Sequence, residues 1–208
     1  DVVTWTGTNG NVFRRHNLGT TPEMIWYKNR DAARNWRTYH KGLNGGTNPE
    51  DYEISLNASS SEGSNTAYMN GTAPTSTHFV SGNDGDTNGA GDNYIAILFA
   101  SANNADGDPI SKVGSYTGNG STTGPTITTG FSPRFILLKD IDNGGTNWYL
   151  LDTLRGLSAG DDKRLSPNDT SGPGTGDFID TSSTGFQLVT DWDQFNGNGT
   201  KFIYYAHA

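Results

Sequence analysis

Apolar residues in this chain come in short bursts, with no helical stripe among them. Met24 to Lys28, Arg37 to His40, Phe135 to Lys139, Trp148 to Asp152, Phe186 to Thr190 and Phe202 to His207 are runs of four to six residues. Clusters of Gly, Asn, Asp, Pro and Ser bound them, which is the pattern of short strands between turns. Several runs are apolar at both parities: Phe135 and Leu137 alternate with Ile136 and Leu138, and Tyr94, Ala96 and Leu98 with Ile95, Ile97 and Phe99. Strands of that kind are covered on both faces and sit centrally in a sheet. The tracts Asn83 to Asn93 and Ser171 to Asp177 are too rich in glycine for strand interiors and read as rim loops. The best helical window, Asp152 to Leu157, is at most a turn. The pattern predicts an all-β fold.

The chain is also written twice. Trp5-Thr6-Gly7-Thr8-Asn9-Gly10 is echoed by Tyr116-Thr117-Gly118-Asn119-Gly120-Ser121, and Pro22 and Lys28 by Pro133 and Lys139. The order persists downstream: Asn35-Trp36 answers Asn147-Trp148, Gly42-Leu43 answers Gly156-Leu157, Thr77-His78-Phe79 answers Thr184-Gly185-Phe186, and Tyr94 to Ala100 answers Phe202 to Ala208. The offset drifts only between 107 and 114 residues. Collinear anchors at a fixed period signal a repeated unit. The competing reading is a single sandwich with coincidental Gly/Thr/Asn-rich similarity. The repeat predicts two tandem antiparallel β-sandwiches of jelly-roll or lectin-like type, over 1–103 and 113–208. A polar linker at 104–112 joins them, its Pro109 forcing Asp108 into an extended shape.

Composition narrows the function classes. A formal charge of -8 argues against a nucleic-acid partner. No run approaches the roughly 20 apolar residues that a membrane-spanning helix needs, so membrane insertion is not expected. Without cysteine there is no disulfide scaffold, thiolate metal site or cysteine nucleophile. Nine Tyr, nine Phe and five Trp bury large areas per residue and suit small cores wrapped in polar loops. The start at Asp1 suggests a processed form or a fragment.

Candidate chemistry is sparse. Nucleophile-elbow, zincin, P-loop and dinucleotide motifs are missing, and four scattered His form no pair at metal spacing. Glu50, Asp51 and Glu53 share one loop-like stretch, and solvent-facing polarity explains them. Asp191-Trp192-Asp193 is the candidate glycan site, an aromatic ring to stack on a sugar with flanking acids to accept hydroxyl hydrogen bonds. The competing reading is a turn with a packed Trp. Arg34 and Arg37 join the glycan candidates because they lie in a basic stretch, Arg14, Arg15, Lys28, Arg30, Arg34, Arg37 and Lys41, that can attract sulfated or uronic sugars. Asp84, Asp86, Asn88 and Asp92 are the metal candidates: with Asp84 as position 1, oxygen side chains fall at 1, 3, 5 and 9 and glycine at 6, as in a calcium loop. Position 12 is Ile95 in place of the bidentate Glu, which excludes an EF-hand and leaves a looser calcium loop or a plain turn cluster. Asp191 to Gly199 is the matching stretch of the second copy.

The string Ser111 to Ser121, followed by Gly130-Phe131-Ser132-Pro133-Arg134-Phe135-Ile136-Leu137-Leu138-Lys139 and Asn147-Trp148-Tyr149, resembles a repeat of tail-fibre and host-recognition proteins of tailed phages, especially marine and cyanobacterial ones. Gly19-Thr20-Thr21-Pro22-Glu23-Met24-Ile25 and Tyr94 to Ala100 resemble the same repeat. The resemblance implies a β-sandwich module of a virion surface or tail, extracellular, with no catalytic residue to carry over. Three functions are compatible: a non-enzymatic module that binds a cell-surface glycan, a homo-oligomeric fibre or lattice subunit that binds nothing small, and a glycan-degrading domain acting through Asp191 or Asp193.

Overall fold

The computed structural model describes residues 1–158 and 160–208. The chain divides into two compact units, one of Asp1–Ala58 and Glu62–Ala100, the other of Ser59–Ser61 and Ser101–Ala208. The first carries β1 (Val2–Thr6), β2 (Val12–Arg15), β3 (Met24–Asn29), β4 (Arg37–His40), β5 (Tyr52–Ser55), β6 (Gly63–Ser64), β7 (His78–Ser81) and β8 (Asn93–Phe99). The second carries β9 (Ala102–Asn103), β10 (Pro109–Thr117), β11 (Thr126–Thr128), β12 (Phe135–Asp140), β13 (Trp148–Asp152) and β14 (Asp162–Leu165). It continues with β15 (Gly174–Gly176), β16 (Ile179–Ser182), β17 (Gly185–Leu188), the one-turn α1 (Asp193–Asn196) and β18 (Lys201–His207).

Each unit is a pair of antiparallel sheets, and the two share one topology. In the first, a six-stranded sheet ordered β1-β8-β3-β4-β5-β6 accompanies the two-stranded β2-β7 sheet. In the second, the order β10-β18-β12-β13-β14-β15 repeats it strand for strand, with β9 added at the edge, and β11-β17-β16 forms the smaller sheet. Register repeats as well. Trp5 lies opposite Tyr94 and stacks on it at 5.6 Å; Tyr116 lies opposite Phe202 and stacks at 4.8 Å. The fold is all-β, as the strand pattern predicts.

Ring-rich cores close both units. Trp5, Tyr27, Tyr39, Tyr68, Phe79 and Tyr94 meet Ile25, Met69 and Leu98 in the first. Tyr149, Phe178, Phe186, Phe195, Phe202 and Tyr204 meet Ile136, Leu138, Leu151 and Leu188 in the second. Large rings give a short strand enough buried area to hold a sheet pair together where aliphatics are scarce.

Two expectations about elements need correction, and the reading of Asp152 to Leu157 as at most a turn holds. Pro109 to Lys112, read as linker, open strand β10; Pro109 is tolerated because a first strand residue need not donate to the ladder. Gly174 to Gly176, read as rim loop, form β15 against Asp162 to Arg164. The α-helical turn falls at Asp193–Asn196, while Asp152 to Leu157 leaves β13 as a turn.

Candidate functional site

The repeat is locked at one joint, where the loop after the first strand meets the loop before the last. Asn88 and Asn196 are its centres, both fully buried. Thr8 N–H donates to Asn88 Oδ1 (3.2 Å) and Asn119 N–H to Asn196 Oδ1 (2.9 Å). Asn88 Nδ2 donates to Gly10 O, and Asn196 Nδ2 to Ser121 O, Thr190 O and Asn119 Oδ1. The backbone closes around them in the same way: Asn9 N–H donates to Asn88 O and Gly120 N–H to Asn196 O, while Gly91 N–H reaches Gly7 O and Gly199 N–H reaches Gly118 O. Gly7 and Gly118 are obligatory here, since a Cβ would stand 1.9 Å from Gly89 O or 2.3 Å from Gly197 O.

These bonds fix the equivalence of the loops at an offset of 108, one more than the alignment of Asp84 with Asp191 assumes. Trp192 answers Asp84, Asp193 answers Gly85, Gln194 answers Asp86 and Thr200 answers Asp92. The signal in sequence is Asn88-Gly89-Ala90-Gly91 against Asn196-Gly197-Asn198-Gly199.

The four calcium candidates do not converge. Asp84 accepts from Asp86 N–H and Asn65 Nδ2, Asp86 pairs with Arg37 Nε at 2.7 Å, Asn88 serves the joint, and Asp92 accepts from Asn29 Nδ2. Each oxygen set faces its own neighbour, and among the described residues no group of three or more His, Cys, Asp or Glu is placed to hold a metal ion.

The glycan candidates fall in different units and in different states. Arg37 is engaged by Glu53 and Asp86, so its charge is internally neutralised. Burial pushes the Glu53 carboxyl up, with Arg37 pulling the other way. Arg34 is exposed, and its guanidinium lies across Gly85, about where a Cβ would meet it at 3.3 Å. Trp192 is not a free platform: Arg164 sits over its ring at 4.7 Å, and Tyr149, Phe178 and Phe195 pack against it. Asp191 is exposed, and Asp193 opens α1. Of the acidic stretch Glu50, Asp51 and Glu53, Glu53 is the one held by an arginine.

Asp193 belongs to the site that sequence reasoning missed. A polar cleft of about 520 Å3 in the second unit runs between the β12–β13 loop (Asp140, Asn143 to Thr146) and the α1–β18 segment (Asp193, Gln194, Gly197, Asn198, Thr200). Asp140 shapes its floor: fully buried, it accepts Asp142 N–H (2.9 Å), Asn143 N–H (3.0 Å) and Asn143 Nδ2 (3.1 Å), which pins the loop. Beneath the wall, Lys139 Nζ donates to Asp140 O (2.7 Å) and to Thr146 Oγ1 (2.6 Å). Burial pushes its ammonium down to about 8, with Asp140 opposing the shift. Gln194 Oε1 accepts the Tyr149 hydroxyl, which ties the cleft to the aromatic group under Arg164.

The first unit builds the same place differently. Asn29 holds its loop as Asp140 does, accepting Asp31 N–H and Ala32 N–H. Tyr94 supplies a hydroxyl that donates to Gly85 O and accepts from Gly89 N–H and Asn29 Nδ2; Phe202 stands in its position in the second unit and has none. Long Arg34 over Gly85 is exchanged for short Thr146 and Asp193, and the second copy opens there.

No curated protein and no solved structure matches the chain. Residues 1–208 match the model of a family described as Domain of unknown function (DUF7483). The whole chain, both sheet pairs and the joint in each, therefore belongs to that DUF7483 family.

Proposed function

We propose that the chain is a non-enzymatic surface module of a tailed-phage virion or tail, extracellular, whose second unit binds a host cell-surface glycan. The observation that carries this reading is the cleft, whose lining is carboxylate, carboxamide, hydroxyl and glycine backbone. Those groups complement sugar hydroxyls, which offer both donors and acceptors. The walls are held from behind: Asp140 fixes one loop and Asn196 the other, so a ligand meets donors and acceptors already in place. Phage origin rests on the resemblance of Ser111 to Ser121 and Gly130 to Lys139 to the tail-fibre repeat. Function as a homo-oligomeric fibre or lattice subunit is the second reading, favoured by Phe13, which is 67% exposed on the small β2-β7 sheet.

A glycan array combined with size-exclusion chromatography tests the pair. The proposed function predicts array hits by a monodisperse species, lost in Asn143→Ala/Gln194→Ala. Self-association with an empty array contradicts it and supports the assembly reading.

A further inference from the structure

We infer that Arg164 is an anchoring cation for the acid group of an anionic glycan, a uronate carboxylate or a sulfate. The inference rests on the proposed glycan reading and names the class of sugar. The guanidinium lies over three rings, Trp192 at 4.7 Å, Tyr149 at 5.1 Å and Phe178 at 5.4 Å. Its Nε is buried without a hydrogen-bond partner, and among the described residues no carboxylate forms an ion pair with it. Its counterparts with a buried Nε, Arg37 and Arg155, are each ion-paired to an aspartate, whereas Arg164 is faced by rings alone. Gly174 on the neighbouring strand keeps the position open, because a Cβ there would stand 2.6 Å from Arg164 Nη1.

The first unit shows what a neutralised version looks like. Register places Glu53 where Arg164 stands, Arg37 where Tyr149 stands, and Asp86 where Gln194 stands. There the three side chains form a closed ion-paired group. In the second unit Tyr149 replaces the cation, Gln194 replaces one acid, and a new cation, Arg164, takes the place of the other with no acid among the described residues paired to it. A planar guanidinium with unspent N–H groups matches a carboxylate or sulfate through paired hydrogen bonds. The rings orient the fork and limit its rotamers, which lowers the cost of capture. Arg164 lies outside the cleft lining and connects to it through Tyr149, whose hydroxyl donates to the lining residue Gln194.

Three oligosaccharides of equal length, one uronic, one sulfated and one neutral, titrated calorimetrically into the full chain at low and moderate salt, test this. The expected result is tighter binding of at least one acidic probe than of the neutral one, by about tenfold or more, weakening with salt. Arg164→Met and Arg164→Lys should both abolish that preference; the Lys variant keeps the charge and guards against a folding defect. The Arg164 Nε–H resonance should move in the wild type on adding the acidic probe. An acidic preference that survives in both variants, or equal binding of acidic and neutral probes, overturns the inference while leaving the glycan reading intact. No binding by any probe, together with an empty array, overturns both.

Discussion

The two units are one design carried out with different polar groups, and their loop joints and strand walls separate what the fold requires from what it leaves free. Both joints keep a buried Asn, a close-approach glycine and a left-handed glycine, Gly91 at φ 85° and Gly199 at φ 76°. Both keep the Asx contact after β3 or β12 and an Asn that holds the N–H of the tryptophan at the entry to β4 or β13, Asn57 for Trp36 and Asn168 for Trp148. None of these can be exchanged for a hydrophobe: the Asn and Asp side chains satisfy backbone groups that strand pairing leaves over, and the glycines supply close approach or positive φ. The wall beside the joint varies freely: an Arg37–Glu53–Asp86 ion group in one copy, Tyr149–Arg164–Gln194 in the other. Variation there is where a binding specificity can arise without disturbing the frame.

The comparison breaks most severely at the joint. Asn196→Ala removes the partner of Asn119 N–H and of three carbonyl or amide acceptors at a part-buried joint, and should cost roughly 3 kcal/mol in urea denaturation; Asn88→Ala should cost a similar amount. Equal tolerance of Asn196→Ala and a surface Asn198→Ala would contradict the role. Next in size is Gly118→Ala, or its counterpart Gly7→Ala, where overlap with backbone should cost roughly 2–3 kcal/mol by the same measurement.

A smaller effect sharpens the contrast between the walls. Glu53→Gln removes one of two acids from Arg37 and should cost roughly 1–2 kcal/mol, less at high salt. Arg164→Met keeps the packing and loses only cation–π attraction, about 1 kcal/mol, with little salt dependence. Similar salt responses in the two variants would erase the distinction.

A pH slope from Lys139 adds a contrast of a different kind. Its ammonium titrates at about 8 when folded, against an ordinary value of 10.5. Between those values the unfolded chain holds more protons, so stability should rise as pH goes from 8 towards 10, and the penalty is fully present below 8. The urea midpoint of the wild type should climb between pH 7.5 and 9.5 more than that of Lys139→Met. A parallel pair of curves would show that the buried ammonium is not penalised.

Much of the frame was legible in the chain itself. Pro22 and Pro133, Lys28 and Lys139, and the apolar runs located the central strands of both copies, because strand burial writes itself into alternation. The cleft was not legible, since it depends on which side chains meet across a register: Thr146 faces α1 only after β12 and β13 have paired. Acidic spacing misled at Asp84 to Asp92, where four oxygens that look like a ligand set are each taken by a separate partner. Trp192 misled for a related reason, since a cation twenty-eight residues upstream occupies its ring. The Asn-Gly-x-Gly strings did carry the true register, in the residues that bond to backbone.

Amide hydrogen exchange followed by NMR on the intact chain tests the duplicated joint most directly. The account predicts slow exchange at matching positions in both halves: Thr8 with Asn119, Asn9 with Gly120, Ala32 with Asn143 and Trp36 with Trp148. Protection of these amides in one half and free exchange of their partners in the other would contradict it.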